Sequence, residues 1–449
     1  MHELVERQRA CFRAGGMRAV NGRLDALRRL RAEIQHRENE IIRALNADLG
    51  KSGSESLLCE VGMVYSALGW LIRNLRRCAA PHRVRTPLSQ FRAHSYTEAA
   101  PLGTVLVMSP WNYPFLLTVE PAAAAIAAGN TVVIKPSPDA PHTAKVLERL
   151  FAAVFEPEQA VVVTGGIDCA QRLLKERFDL IFYTGGASGG SAVARAAAEH
   201  LTPTVLELGG KSPCIVDADA DLPSAARRIV FGKYLNCGQT CVAPDYLLVH
   251  ESVRQPLIDL LEREIHRQFG AQPLRNPDYG RIVNARHYDR LCAMLDGGVL
   301  IGGARENGRI EPTVLEADED SRCMQEEIFG PILPVLSWTD WEQARAVIDR
   351  YPTPLACYYF GNAKTARRRL RELSFGGGCI NDTIMHLASN ELPFGGVGTS
   401  GMGCYHGRWG FETFSHTKGI VDRKIRPELP MRYQPYAKWK DALVRRFLR

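Results

Sequence analysis

The chain has 449 residues, 45% of them hydrophobic and 23% charged, which is too long for one small core and suits two or three domains of ordinary globular composition. Its formal net charge of +7 is concentrated at one end: Lys418 to Arg449 carries ten Lys or Arg against three Asp or Glu. The remainder is close to neutral, which argues against a basic nucleic-acid-binding surface on the body of the protein.

Two helices are expected to open the chain. In the first, Leu24, Leu27, Leu30, Ile34, Ile41 and Leu45 recur near helical spacing, with Gly50 as a C-cap. In the second, Val61, Val64, Leu68, Leu71 and Leu75 do the same before Pro81. Met1 to Asn46 has no apolar signal core and no run of eighteen apolar residues occurs, so a soluble cytoplasmic protein without a transmembrane helix is expected.

A polar, Pro-containing stretch from Pro81 to Ala99 leads into short apolar, β-branched runs at Thr104–Met108, 131–134, 160–163, 180–183 and 205–208. Helical stretches at 119–128, 143–155 and 191–200 lie between them. Strand–helix–strand alternation implies a parallel, doubly wound sheet, whose ligands bind beyond the carboxyl ends of the strands.

The residues just after each run therefore carry the functional signal. They are Ser109-Pro110-Trp111-Asn112-Tyr113-Pro114, Lys135-Pro136-Ser137-Pro138, Thr184-Gly185-Gly186-Ala187-Ser188-Gly189-Gly190, and Glu207-Leu208-Gly209-Gly210-Lys211. The Gly185–Gly190 loop lacks the G-x-G-x-x-G spacing and is either a phosphate cradle at a helix N-terminus or a plain tight turn. Lys135 either binds ribose hydroxyls or is a surface lysine. Read alone, Glu207 is a base or a surface carboxylate, and Asn112 a donor or a turn residue.

Twelve cysteines in a long chain without a signal peptide read as reduced thiols. Cys237 and Cys241 form the one close pair, and no second pair with neighbouring His completes a zinc site, so no metal is expected. The segment Asn236-Cys237-Gly238-Gln239-Thr240-Cys241 places a thiol in a polar, Gly-containing turn, where it is either a nucleophile or an inert buried group. Farther on lie Glu326-Glu327-Ile328-Phe329-Gly330-Pro331 and Leu392-Pro393-Phe394-Gly395-Gly396-Val397-Gly398.

In this order, from about Arg23 to Lys418, these segments resemble the aldehyde dehydrogenase superfamily, and its class 3 branch in particular. The stretches that carry the likeness include Leu206–Pro213, Gly238–Tyr246, Met324–Pro331 and Leu392–Gly407. The resemblance implies Cys241 as nucleophile, Glu207 as general base, and Asn112 with the backbone N–H of Cys241 as oxyanion donors. Lys135, Ser137, Gly185, Gly186 and Gly190 would hold the adenosine and pyrophosphate of NAD or NADP, and Glu327 and Phe329 the nicotinamide riboside. It also implies an α/β fold with a doubly wound parallel-sheet cofactor domain (1–80 and 100–206), a second α/β catalytic domain (207–397), and a small bridging and oligomerisation element (81–99 and 398–449) that supports a homodimer. Medium- or long-chain aliphatic and aromatic aldehydes are the implied substrates, with Tyr113 and His386 as candidate funnel residues.

Such chemistry has a physical logic. An aldehyde carbon releases hydride only once it is tetrahedral, and a thiolate adding to the carbonyl makes it so. The oxyanion then needs donors where its charge develops, and the resulting thioester needs a base to activate water. Thioester transfer to coenzyme A and a non-catalytic fold relative are the rival readings. The first has no use for Glu207, and the second none for Cys241, Glu207 and Asn112 together.

The chain departs from the family pattern in places. Pro138 stands where relatives usually carry a carboxylate against the adenosine ribose, which motivates use of NADP as well as, or in preference to, NAD. Tyr183 and Gly186 replace a Phe and a polar residue. Cys237 either packs or forms a reversible disulfide with the nucleophile. In the basic tail, Tyr436, Trp439, Leu443 and Phe447 share a helical face, which either packs on the body or a partner subunit, or lies weakly on an anionic membrane.

Overall fold

The computed structural model describes every residue except Asp296, Pro427 and Arg449, together with the side chains of Phe447 and Leu448. Its architecture is mixed α/β, organised by two largely parallel sheets, a three-stranded antiparallel sheet and a two-stranded hairpin at Arg305–Glu306 and Arg309–Ile310.

The first sheet has six strands, in the order Gly401–Met402, Thr204–Glu207, Leu180–Thr184, Thr104–Met108, Thr131–Lys135 and Ala160–Val162. Gly401–Met402 is antiparallel to its neighbour, and the other neighbours run parallel. Each of the five expected strands is present within a residue or so at its ends. Thr104–Met108 and Thr131–Lys135 are buried throughout, because helices cover both faces of a doubly wound sheet and leave no polar side to the strands. Strand order reverses between Thr104–Met108 and Leu180–Thr184, so the crevice of this sheet opens at their carboxyl ends.

The second sheet orders Val299–Ile301, Thr313–Glu316, Ile332–Trp338, Tyr246–His250, Pro213–Val216, Ala356–Phe360 and Gly377–Ile380, parallel except at its first pair. The third pairs His82–Val84, Ala93–Pro101 and Ser415–Arg423 antiparallel, bringing the stretch after the opening helices against a late segment of the chain.

The chain's opening differs from the expected helix pair. A helix at His2–Arg13 precedes the others, and the expected first helix is two, Val20–His36 and Glu38–Leu49. The break falls at Arg37, whose side chain holds Glu33 at 2.6 Å on one side and Glu40 at 3.1 Å on the other. Gly50 does end the second piece, in the left-handed conformation with its N–H on Asn46 O.

The next helix also begins earlier than expected, at Gly53, and contains a π turn at Leu57–Val61 before running on as Gly62–Ala79. Contrary to the reading of the sequence, Gly53–Ala79 is long and apolar enough, by length and composition, to cross a membrane. More than half of its apolar window is buried in the protein, however, and Val64, Leu68, Leu71 and Leu75 pack in the main core.

The tail helix Lys438–Leu448 lies near Leu88–Gln90 and Pro430–Arg432, with Leu443 half-buried and Tyr436 and Trp439 exposed. The side chain of Phe447, expected on the same face, lies outside the described residues.

Candidate active site

Three strand ends of the first sheet build one wall of the site. The Ser109–Pro114 loop leaves Thr104–Met108, Gly185 follows Leu180–Thr184, and Glu207 closes Thr204–Glu207. The opposite wall is the loop after helix Leu222–Tyr234, which enters the second sheet at Tyr246. In that loop Asn236 and Cys237 both adopt φ 53°, a left-handed conformation costly for side chains other than glycine. It is held by Asn236, whose Nδ2 donates to Asn112 O at 2.8 Å and Gln239 O at 3.1 Å. Tyr113 OH to Thr240 Oγ1 (2.6 Å) and Tyr358 OH to Val242 O (2.5 Å) fix the turn on either side of Cys241.

The expected catalytic residues meet here. Asn112 is buried, and its Nδ2 donates to Gln239 O at 3.1 Å, so the amide faces the Cys241 turn with a second N–H to offer. Glu207 is only 2% exposed, and neither carboxyl oxygen has a partner among the described residues. An orphaned buried carboxyl is costly, and burial pushes this one well above the usual carboxylate range. Cys241 is pushed up to about 12, first by burial and then by the carboxyls of Glu327 and Glu207, while the backbone N–H groups of Cys241 and Val242 act the other way. These surroundings favour the thiol over the thiolate at neutral pH.

Two cavities meet at these residues. One is a funnel of about 140 Å³, walled mainly by apolar side chains such as Met63, Leu116, Phe231 and Leu387. The other, about 400 Å³, is the more polar of the two and takes in Asn112, Gly185, Gly186, Arg290, Glu326, Glu327 and Phe329. Cys241, Glu207, Thr184 and Leu117 line both. Of the two funnel candidates, Tyr113 lines the wall, but His386 does not. It turns away to stack on Phe394 and approach Cys379.

The polar crevice fits a dinucleotide. The helix Ala187–Ala198 points its N-terminus at it, a Cβ added at Gly186 would meet open space, and Thr184 Oγ1 is buried without a partner among the described residues. Tyr183 explains the glycines beside it: a Cβ at Gly185 or Gly189 would lie 2.4 or 2.1 Å from its hydroxyl. Trp111 packs edge-on against Phe329 at 5.4 Å between centroids. Glu327, raised to about 8 chiefly by burial, shares the lining with this ring pair and Cys241.

Not every expected cofactor residue lines that crevice. Gly190 is buried beneath Leu208, where it lets helix and strand approach. Lys135 and Ser137 stand at the end of the neighbouring strand, outside the lining. Lys135 is buried and donates to Pro136 O at 2.8 Å, leaving the ammonium further protons to donate.

Several supporting residues escaped the reading of the sequence. Lys211 pairs with buried Asp245, whose Oδ1 accepts the N–H of Ile328 at 2.9 Å, and Arg290 grips Ile328 O at 2.6 Å, so the Glu327–Phe329 turn is held from both sides. Lys51, Glu55 and Glu60 do the same beneath Asn112 and Asn236. Cys237 faces away from Cys241 into the second core cluster, beside Tyr279, which favours packing as its role.

Comparison with known proteins agrees with this geometry. A model described as "Aldehyde dehydrogenase family" matches residues 1–420. A Staphylococcus aureus protein named "4,4'-diaponeurosporen-aldehyde dehydrogenase" is 44% identical, covering 98% of this chain and 97% of its own. "Aldehyde dehydrogenase family 3 member A2" of Rattus norvegicus is 42% identical, covering 100% and 94%. "Aldehyde dehydrogenase, dimeric NADP-preferring" of Canis lupus familiaris is also 42% identical, covering 96% and 97%. A solved structure described as "Substrate bound state of Staphylococcus Aureus AldH" superposes with a TM-score of 0.98 at 42% identity, covering 100% and 99%. The chain belongs to the aldehyde dehydrogenase family, within its class 3 branch, and is an enzyme that uses NAD or NADP.

Proposed function

We propose that the enzyme oxidises medium- or long-chain aliphatic or aromatic aldehydes to carboxylic acids through a thiohemiacetal and then a thioester on Cys241. The observation that carries this reading is the position of Cys241 and the unpartnered Glu207 on the shared border of an apolar funnel and a polar crevice.

The Cys241 thiol first loses its proton to solvent, and the thiolate then adds to the carbonyl carbon of an aldehyde entering by the funnel. The Asn112 amide and the Cys241 N–H receive the oxyanion; removing one such donor costs about 2.7–4 kcal/mol in comparable sites. When bound in the crevice, NAD or NADP supplies the hydride acceptor. Glu207 then takes a proton from water as it attacks the thioester, and Cys241 leaves as the acid is released. Burial raises the proton affinity of Glu207, which suits a group that must collect a proton near neutral pH.

The exposed Pro138 places no carboxylate against an adenosine 2′-phosphate, which supports use of NADP alongside NAD. The exposed edge of Ser415–Arg423, with Val421 and Ile425 uncovered, supports a homodimer built on the three-stranded sheet. Buried free thiols such as Cys214, Cys237 and Cys357 fit a reducing, cytoplasmic setting. The exposed Tyr436 and Trp439 on the basic tail suit a weak contact with an anionic membrane surface.

The test is reduced-cofactor formation with octanal and with benzaldehyde, using NAD and NADP separately and no coenzyme A. Turnover that disappears in Cys241→Ser is expected. Turnover only after coenzyme A is added would replace hydrolysis with acyl transfer.

A further inference from the structure

Beneath the Asn112 loop lies a pair of charges that the chemistry above does not use. Lys51 and Glu60 are both 0% exposed and bond directly to each other, and neither lines either cavity. A buried ion pair is a poor route to stability, since well-packed apolar residues of similar volume often serve as well or better. The remaining bonds of the pair point to a different role.

Lys51 Nζ donates to Asn112 O at 2.8 Å and stands 4.0 Å over the Tyr113 ring. Glu60 Oε2 accepts the N–H groups of Phe115 at 2.8 Å and Leu116 at 3.2 Å, where helix Leu116–Ala128 begins. The pair thus grips the loop at Asn112 and again three residues later. The same segment reaches the nucleophile's turn: Glu55 Oε1 accepts the N–H of Asn236 at 2.7 Å, and Asn236 Nδ2 shares Asn112 O with Lys51. Glu60 lies in the π turn Leu57–Val61, a departure from α geometry often found at functional sites. Gly62 accommodates that turn, because a Cβ there would sit 2.6 Å from Leu57 O.

We propose that Lys51 and Glu60 are a positioning pair, which fixes the Asn112 backbone so that its side-chain amide stays aimed at the oxyanion beside Cys241. They act through Asn112 and touch no reacting atom. The inference rests on Asn112 being an oxyanion donor. Misplacing such a group by about 1 Å is enough to cost on the order of 100-fold in rate.

The test is a double-mutant cycle on the full chain with octanal and NAD. The paired variant Lys51→Met/Glu60→Leu removes both charges without stranding either. It is expected to keep the KM for NAD and the rate at which iodoacetamide alkylates Cys241, while kcat falls roughly 10- to 100-fold. Asn112→Ala costs about 10²–10³-fold alone, and in that background the paired change should cost less than about threefold more, because both changes remove one interaction. Full kcat in the paired variant, or an undiminished Asn112→Ala loss within it, overturns the proposal. If the paired variant fails to fold, Lys51→Arg and Glu60→Asp keep the charges but move them, and the same cycle decides by the same criteria. A fully active Asn112→Ala removes the donor assignment and this proposal together, whereas loss of turnover in Cys241→Ser still decides the dehydrogenase reading separately.

Discussion

Cys241 borders two cavities whose walls differ in kind. On the funnel side, apolar side chains dominate, and burial keeps the ionisable neighbours uncharged at neutral pH: Glu120 is raised to about 8 and His406 lowered to about 3. On the crevice side stand Arg290, Glu326, a glycine loop and a helix N-terminus. The difference shows how one thiol serves two ligands of opposite character. The apolar wall takes up a hydrocarbon chain and holds water back, while the polar wall supplies the donors that a phosphate-bearing molecule needs. Groups on the border should matter to every reaction, and groups on one wall should matter to one partner only.

That contrast can be broken in a graded way. Asn112→Ala, which removes a donor facing the turn of the border thiol Cys241, should lower kcat/KM by about 10²–10³-fold for every aldehyde and both cofactors, measured as initial rates of cofactor reduction. Leu387→Asp, in the funnel wall, should cost octanal roughly 10- to 200-fold in kcat/KM through the burial of its chain. The same variant should leave the KM for NAD unchanged; a parallel rise would mean that the two cavities are not separate. Pro138→Glu, beside Lys135, should raise the KM for NADP by about tenfold through charge repulsion and leave that for NAD nearly unmoved.

The smallest expected effect is on stability. Glu120 and Glu327 are each raised to about 8, chiefly by burial, so the folded state holds their protons more tightly than the unfolded chain. Their favourable protonated state is fully present below the ordinary carboxylate range and is lost as pH rises through about 8. Tm should therefore fall between pH 6 and 9, and Glu120→Gln should flatten that slope. Turnover should rise over the same interval, because the thiolate fraction of Cys241 grows toward its pKa of about 12. A Tm that climbs with pH would contradict the burial argument.

Much of the first sheet was legible in the sequence, because strands buried on both faces read as short apolar runs and the residues after them stand out as polar. Thr104–Met108 followed by Asn112, and Leu180–Thr184 followed by Gly185, are clear examples. The break at Arg37 was not legible, since the apolar spacing from Leu30 through Ile34 to Ile41 passes over it without a change of period. The direction of His386 was equally hidden: neighbours on both sides of it line the funnel, and only its stacking on Phe394 turns it away. Lys51 and Glu60 left no local signal, because a lysine and a glutamate nine residues apart look like surface charges until the fold brings Asn112 between Cys241 and the pair. The catalytic groups were carried by motif, and the groups that hold them became visible only in three dimensions.

The central claim is that Cys241 carries the acyl group and Glu207 releases it. The most direct measurement is rapid-quench analysis of Glu207→Gln with octanal and NAD, followed by mass spectrometry of the peptide bearing Cys241. The account predicts a burst of close to one reduced cofactor per active site, almost no further turnover, and an octanoyl adduct on Cys241. Steady turnover at the unmodified rate, or a burst that leaves Cys241 free, would contradict it.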